Sequence, residues 1–196
     1  MAIFDFAKVG TKFVSSCKIY SMNTRHFTLF FSLLLSYSIQ AQQIDTEKST
    51  VTFTVSNMKS NTVHGTLSGM QGEVRFDPSD LTNAKFDVCA DATTIFTDNK
   101  KRDEHLKKED YLHTDGFASM CFTSSSVEKT EKGFLAKGTL SLRGKTGEVE
   151  IAFDKAENSL MGKMIIDRYD YDIGGKGKFM IGREVTVTIL CVLAEG

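Results

Sequence analysis

The chain has 196 residues, 41% of them hydrophobic, which is enough for one sizeable core and too little for two comfortable domains. Lys+Arg 24 against Asp+Glu 25 leaves no basic stripe of the kind that neutralises nucleic-acid phosphates, so nucleic acid is excluded as an expected partner. A single Pro and 15 Gly without low-complexity tracts exclude a disordered or linker-rich chain.

Residues 1–41 read as an N-terminal extension followed by a cleaved signal peptide. Met22 opens the signal, residues 23–26 form a short basic region around Arg25, and residues 27–39 (FTLFFSLLLSYSI) are a 13-residue apolar run. A bilayer span needs about 20 apolar residues, so export with cleavage after Ala41, ahead of Gln42, is expected instead of a transmembrane span. The lead before Met22 is long for an n-region, which points to translation starting at Met22. Val14-Ser15-Ser16-Cys17 has the outline of a lipoprotein signal, but Asp5, Lys8 and Lys12 occupy what should be its apolar run. Cleavage would leave residues 42–196 as one mildly acidic, periplasmic or secreted domain of net charge −4.

From Val51 onward the dominant period is two, the mark of strands buried on one face. Val51, Phe53 and Val55 alternate with Thr52, Thr54 and Ser56, and Val74 and Phe76 alternate with Glu73, Arg75 and Asp77. The pattern recurs at Phe86-Val88-Ala90, Met120-Phe122, Phe134-Ala136, Leu140-Leu142, Val149-Ile151-Phe153 and Val185-Val187-Ile189. Turn signals at Ser68-Gly69, Asp77-Pro78-Ser79-Asp80, Lys132-Gly133, Arg143-Gly144-Lys145 and Glu157-Asn158 separate these runs. An all-β antiparallel sandwich or barrel is expected. Residues 98–111 (DNKKRDEHLKKEDY) break the rhythm and predict a short helix with Asp98 as N-cap, covering an edge or opening through Leu106 and Tyr111.

Ordered motifs run through this domain. They are Ser49-Thr50-Val51-Thr52-Phe53, Gly65 with Gly72-Glu73-Val74-Arg75-Phe76-Asp77, and Arg102-Asp103-Glu104-His105-Leu106 with Asp110-Tyr111. Met120-Cys121-Phe122-Thr123-Ser124 and Gly138-Thr139-Leu140-Ser141-Leu142-Arg143-Gly144-Lys145-Thr146 complete the set. Together they resemble the YceI-like, polyisoprenoid-binding family over nearly all of residues 44–194. That resemblance implies a lipocalin-like, extended antiparallel β-barrel with a short lid helix, enclosing an isoprenoid or isoprenoid quinone as ligand. Leu112, where the family has a second aromatic, and Phe117-Ala118, where it has aromatic-Pro, depart from the pattern near the expected lid.

The inward set expected to meet the ligand is Phe53, Val55, Val74, Phe76, Phe86, Val88, Ile95, Phe122, Phe134, Leu140, Leu142, Ile151, Phe153, Ile165, Val187 and Ile189, with Leu106 and Tyr111 from the lid. The same residues could simply fill a closed core, as in a structural or partner-binding barrel. Fifteen Phe and no Trp suit a tunnel walled by flat apolar faces. Arg102 could meet a diphosphate or quinone oxygen, or could with Asp103 lock the helix onto the barrel. His105 and His113 lie eight positions apart, which matches no compact metal motif. Asp167, Asp170 and Asp172 raise a two-carboxylate hydrolase as a rival. No G-x-S-x-G elbow, P-loop or dinucleotide fingerprint accompanies them, so no catalytic residue and no cofactor are expected. Tyr169 and Tyr171, with Gly174-Gly175-Lys176-Gly177, read as a surface loop by the barrel mouth. Cys89 and Cys121 share outward parity and would pair across neighbouring strands, with Cys191 a buried thiol; three free thiols are the equal alternative.

Overall fold

The computed structural model describes residues 41–57, 61–175 and 181–194. The proposed signal peptide and the Lys176-Gly177 part of the mouth loop lie outside the described residues. Ten strands follow in order: β1 (Gln42–Gln43), β2 (Thr50–Asn57), β3 (Asn61–Leu67), β4 (Gln71–Asp77), β5 (Asp80–Asp91), β6 (Ser119–Thr130), β7 (Gly133–Leu142), β8 (Lys145–Ala156), β9 (Ser159–Asp167) and β10 (Ile181–Val192). A 3-10 turn (Ala92–Thr94) and one helix, α1 (Lys100–Leu106), separate β5 from β6.

All ten strands belong to one sheet of order β1-β4-β5-β6-β7-β8-β9-β10-β2-β3, antiparallel throughout. Strand β3, at one end of that order, and β4, next to the strand at the other end, are joined by residues 68–70 alone, so the sheet has to curl. The corner is tied to the 3-10 turn: Asp91 N–H donates to Ser68 O at 3.1 Å and Ser68 N–H to Thr94 Oγ1 at 2.8 Å. Gly69 holds φ +69°, and a Cβ there would stand 2.9 Å from Asp91 Cβ, so the corner needs glycine. Beyond it Thr66 and Phe96 exchange both backbone hydrogen bonds, at 2.8 and 3.0 Å, which extends the closure along β3.

The curl turns one face inward, and the apolar phase of each strand follows it. Val74 is fully buried, and Phe76, Phe86, Phe122, Leu140, Leu142, Ile151, Phe153 and Val187 are buried with it, each worth about 1.5–3 kcal/mol relative to exposure. Several expectations change. Strand β9 buries Leu160, Gly162, Met164 and Ile166, leaving Ile165 60% exposed on the phase of Lys163. Ile165 is therefore an outward residue; a stretch apolar on both phases offers little contrast, and the β10 ladder, with Val187 opposite Met164, sets the phase. Strand β3 has no counterpart among the expected strands. Helix α1 is shorter than residues 98–111: Asn99, not Asp98, is its N-cap, its side chain accepting from Arg102 N–H at 3.1 Å. Tyr171, expected in a surface loop, is 3% exposed inside the core.

Cys89 lies directly opposite Cys121 in the β5–β6 ladder, Cα atoms 4.0 Å apart, and the two are joined in a disulfide. Cys191 is free and buried. Crosslinking 32 residues apart limits the unfolded chain and is worth about 3–4 kcal/mol in the chain-entropy model. Peptide mapping without reductant is expected to recover Cys89 and Cys121 as one linked peptide pair, and reduction should lower the denaturation midpoint; alkylated Cys89 from unreduced protein would contradict the pairing.

Candidate functional site: an apolar cavity closed by a polar lid

The curled sheet encloses a cavity of about 360 Å3 with an almost wholly apolar wall. All of the expected inward residues line it except Phe76, Phe134 and Ile165, and Arg102, Leu106 and Tyr111 line it from the lid. Phe76 and Phe134 belong to the same core but stand behind Phe86 and Phe153. The sequence reading missed Leu67, Met70, Leu112, Met120, Leu160, Met164, Ile166 and Ile173, all of which also line the wall. Small inward residues create the space: Ala90 and Ala136 sit where larger side chains would fill it, while Gly162 makes room for Ile151, whose Cγ2 would stand 2.9 Å from a Cβ there.

The lid is held by polar bonds among Arg102, Thr97 and Asp103. Asp103, 8% exposed, accepts from Thr97 N–H at 2.9 Å and from the Thr97 hydroxyl. Thr97 Oγ1 accepts in turn from Arg102 Nε at 2.8 Å, and Thr97 O accepts from Arg102 Nη2 at 2.6 Å. The locking role foreseen for Arg102 and Asp103 is therefore built, while Arg102 also faces the cavity. His105 packs its ring on Tyr111, centroids 4.7 Å apart, and His113 packs on Phe117 at 5.4 Å; the two imidazoles serve separate contacts.

Two arginines, Arg143, which the sequence marked as a turn residue, and Arg168, which it did not single out, fasten the same end. Arg168, 3% exposed, lines the cavity and donates Nε to Gly182 O (2.9 Å), Nη1 to Ile173 O (2.6 Å) and Gly175 O (3.4 Å), and Nη2 to Ile181 O (3.2 Å) and Tyr169 Oη (3.1 Å). Its guanidinium also lies 4.3 Å from the Tyr169 ring centroid. Arg143, in the β7–β8 turn, donates to Glu109 O at 2.6 Å and Asp172 O at 2.9 Å, joining the segment after α1 to the segment after β9. Gly174 N–H donates to Asp110 O at 2.7 Å, and a Cβ at Gly174 would come within 3.0 Å of the Tyr111 ring. Burial, then the carboxylates of Asp170 and Glu148, push the Tyr171 phenol up, so it stays neutral beneath this lid.

Two of the three carboxylates that raised a hydrolase reading have ion-pair partners: Asp167 pairs with Arg183, and Asp172 with Lys145 at 2.5 Å. No carboxylate is among the described residues lining the cavity. The polar residues among the lining are Asn57, Arg102, His105, Tyr111 and Arg168, all on the lid or the strand ends beside it. Among the described residues, no helix is long and apolar enough to cross a membrane.

With this geometry established, comparison with known proteins is decisive about ancestry. A model of the YceI-like domain matches residues 42–193. The chain belongs to the YceI-like family. A UPF0312 protein of Shewanella oneidensis is 33% identical over 111 residues, 55% of this chain and 58% of that protein. A UPF0312 protein of Yersinia enterocolitica is 26% identical over 101 residues, 52% of this chain and 53% of its own length. The chain thus spans little more than half the length of these curated relatives. Among solved structures, Burkholderia cenocepacia BcnA superposes with a TM-score of 0.68 at 18% identity, covering 78% of this chain and 99% of its own. A polyisoprenoid-binding domain from Saccharophagus degradans gives 0.59 at 14% identity, covering 80% and 99%. These similarities establish the fold.

Cys191 offers a probe of the wall. Burial raises its thiol from an ordinary value near 9 to about 11. The sign follows from proton binding: between these values the unfolded chain loses the thiol proton that the folded chain keeps, so folding stability falls as pH rises from about 9 to 11. Denaturation of wild-type protein is expected to lose on the order of 2 kcal/mol more across that window than Cys191→Val. Equal pH slopes for the two proteins would contradict a buried thiol.

Proposed function

We propose that this chain binds a long apolar lipid of the isoprenoid type, a polyprenyl chain or a quinone tail, inside the curled sheet. The observation that carries the reading is the cavity itself: about 360 Å3 of apolar-walled space in a YceI-like domain. Ligand pockets typically run from about 300 to 1,000 Å3, and a void of this size left in a packed core would be costly. Each methylene buried contributes about 0.8 kcal/mol, so a prenyl tail gains affinity along its whole length. Asn57, Arg102, His105 and Arg168 place the polar lining at the lid, which favours a tail pointing inward and a head at the lid. The similarity to the Saccharophagus domain, a polyisoprenoid-binding domain, supports the same class of ligand. The cavity counts against a filled structural barrel, and the ion pairs of Asp167 with Arg183 and Asp172 with Lys145 count against a two-carboxylate hydrolase. The role is storage, transport or protection of the lipid, with binding and no chemical step.

Native mass spectrometry of purified protein, followed by organic extraction, tests the reading directly. Wild-type protein is expected to carry or take up prenyl lipid. Ala90 is buried and faces the cavity, so Ala90→Trp should exclude the ligand at a folding cost of about 1–3 kcal/mol, partly absorbed by the cavity. Folded Ala90→Trp that binds as wild type does would return the interior to an ordinary core.

We also propose that the domain works outside the cytoplasm, in the periplasm or secreted. Residues 22–41 support this as an export signal, and a Cys89–Cys121 disulfide suits an oxidising compartment. N-terminal sequencing of the exported protein is expected to begin at Gln42; a sequence beginning upstream of Phe27 would overturn cleavage there.

A further inference from the structure

The two ends of the cavity are closed by different chemistry. At the lid, guanidinium groups bond backbone carbonyls. At the opposite end, four phenylalanines from four strands meet: Phe76 of β4, Phe86 of β5, Phe134 of β7 and Phe153 of β8. Phe76 stands edge-on to Phe134 at 4.9 Å and to Phe153 at 5.2 Å; Phe86 stands edge-on to Phe153 at 5.3 Å, and Phe134 stacks on Phe153 at 5.4 Å. Phe86 and Phe153 face the cavity, whereas Phe76 and Phe134 do not line it. The plug is therefore two rings deep, and every ring in it is braced by another.

The rings are fixed by backbone pairing as well as by contact. Phe134 is the register partner of Phe153, and Phe86 is paired to Val74, two residues before Phe76. Phe76 falls where the β4–β5 register shifts, between Arg75 and Asp77. A tail entering from the lid meets a wall that cannot rotate aside without breaking edge-to-face contacts.

We propose that this phenylalanine plug sets the longest apolar chain the protein accepts, with Phe86 and Phe153 as the stop and Phe76 and Phe134 as its backing. The inference rests on the lipid-binding reading and adds a selectivity to it. Chains that end short of the plug keep their head at the lid polar groups, whereas longer ones have to fold back or leave the head outside. Selection is by length, a property of the floor, and is independent of what the head is.

The test uses delipidated full-length protein and a homologous series of prenyl alcohols: geraniol, farnesol, geranylgeraniol and solanesol. Complexes are read by native mass spectrometry, with folding matched by circular dichroism. Wild-type protein should show a length beyond which retention falls at least tenfold. Phe153→Leu and Phe134→Leu are mild enough to keep the core and should move that cut-off at least one member longer. Ala136→Leu adds bulk to the cavity wall beside Ile151 and should move it shorter, so the proposal stays testable if a phenylalanine variant fails to fold. An unchanged cut-off in the folded variants, or a wild-type protein that retains every alcohol equally, overturns the plug while leaving lipid binding standing. Wild-type protein that takes up no alcohol and carries no extractable lipid overturns the binding reading and the plug with it.

Discussion

Residues 68–70 impose the constraint on which the rest of the molecule depends. They connect β3, at one end of a ten-stranded sheet, to β4, next to the strand at the other end, and three residues cannot cross the breadth of a flat sheet. The sheet has to curl, and curling separates an inner from an outer face. Once that is fixed, the period of two in each strand decides which residues enclose the interior. The corner is accordingly well made: Gly69 supplies the left-handed turn, Met70 is 3% exposed beneath it, and Ser68 is bonded to Asp91 and Thr94 across the join. A loosened corner would free the β3 edge that Phe96 now covers at Thr66.

A curled sheet closes its sides and leaves its ends, and the two ends answer to different costs. Segments crossing the lid end carry carbonyls that no ladder can pair, and burying them unpaired would cost about 1–3 kcal/mol each. Arg143 and Arg168 supply planar sets of donors that satisfy several such carbonyls at once, from residues 109, 172–173, 175 and 181–182. At the floor, rings packed edge to face fill the space without any polar demand. Polarity at one end and none at the other gives the cavity a direction, and an amphiphile is the kind of molecule that shares it.

How much of this was legible in the sequence depended on contrast between phases. Strands such as β2 and β4, with Thr or charged residues opposite Val and Phe, declared their inner face. Strand β9 did not, because Met161 and Ile165 are apolar on the outer phase and only Lys163 marks it. Strand β3 (NTVHGTL) escaped notice because Gly65 interrupts its inner phase between Val63 and Leu67. The Cys89–Cys121 pairing followed from parity, but its decision required that β5 and β6 be neighbours, a fact of topology. Arg168 and Tyr171 lie in an aspartate-rich stretch that reads as surface. Their burial depends on the lid folding over them, a contact between distant segments that local composition does not carry.

A binding cavity and a filled core use the same alphabet of residues, which is why alternation alone could not separate them and the family resemblance could. The difference lies in volume. Phe53, Phe86, Phe122 and Phe153 are large, yet they share the inner surface with Ala90, Ala136 and Gly162, and the sheet is too wide for the large residues to span the remaining gap. No single side chain defines such a site, and none of the lining residues bears a signature beyond being apolar and on the inner phase. Affinity spread over many methylenes leaves selectivity to the boundaries of the space, to what closes its two ends and how far apart they are held. That places the specificity of the molecule in its lid arginines and its floor phenylalanines, the two groups whose positions are fixed by bonds and packing among themselves.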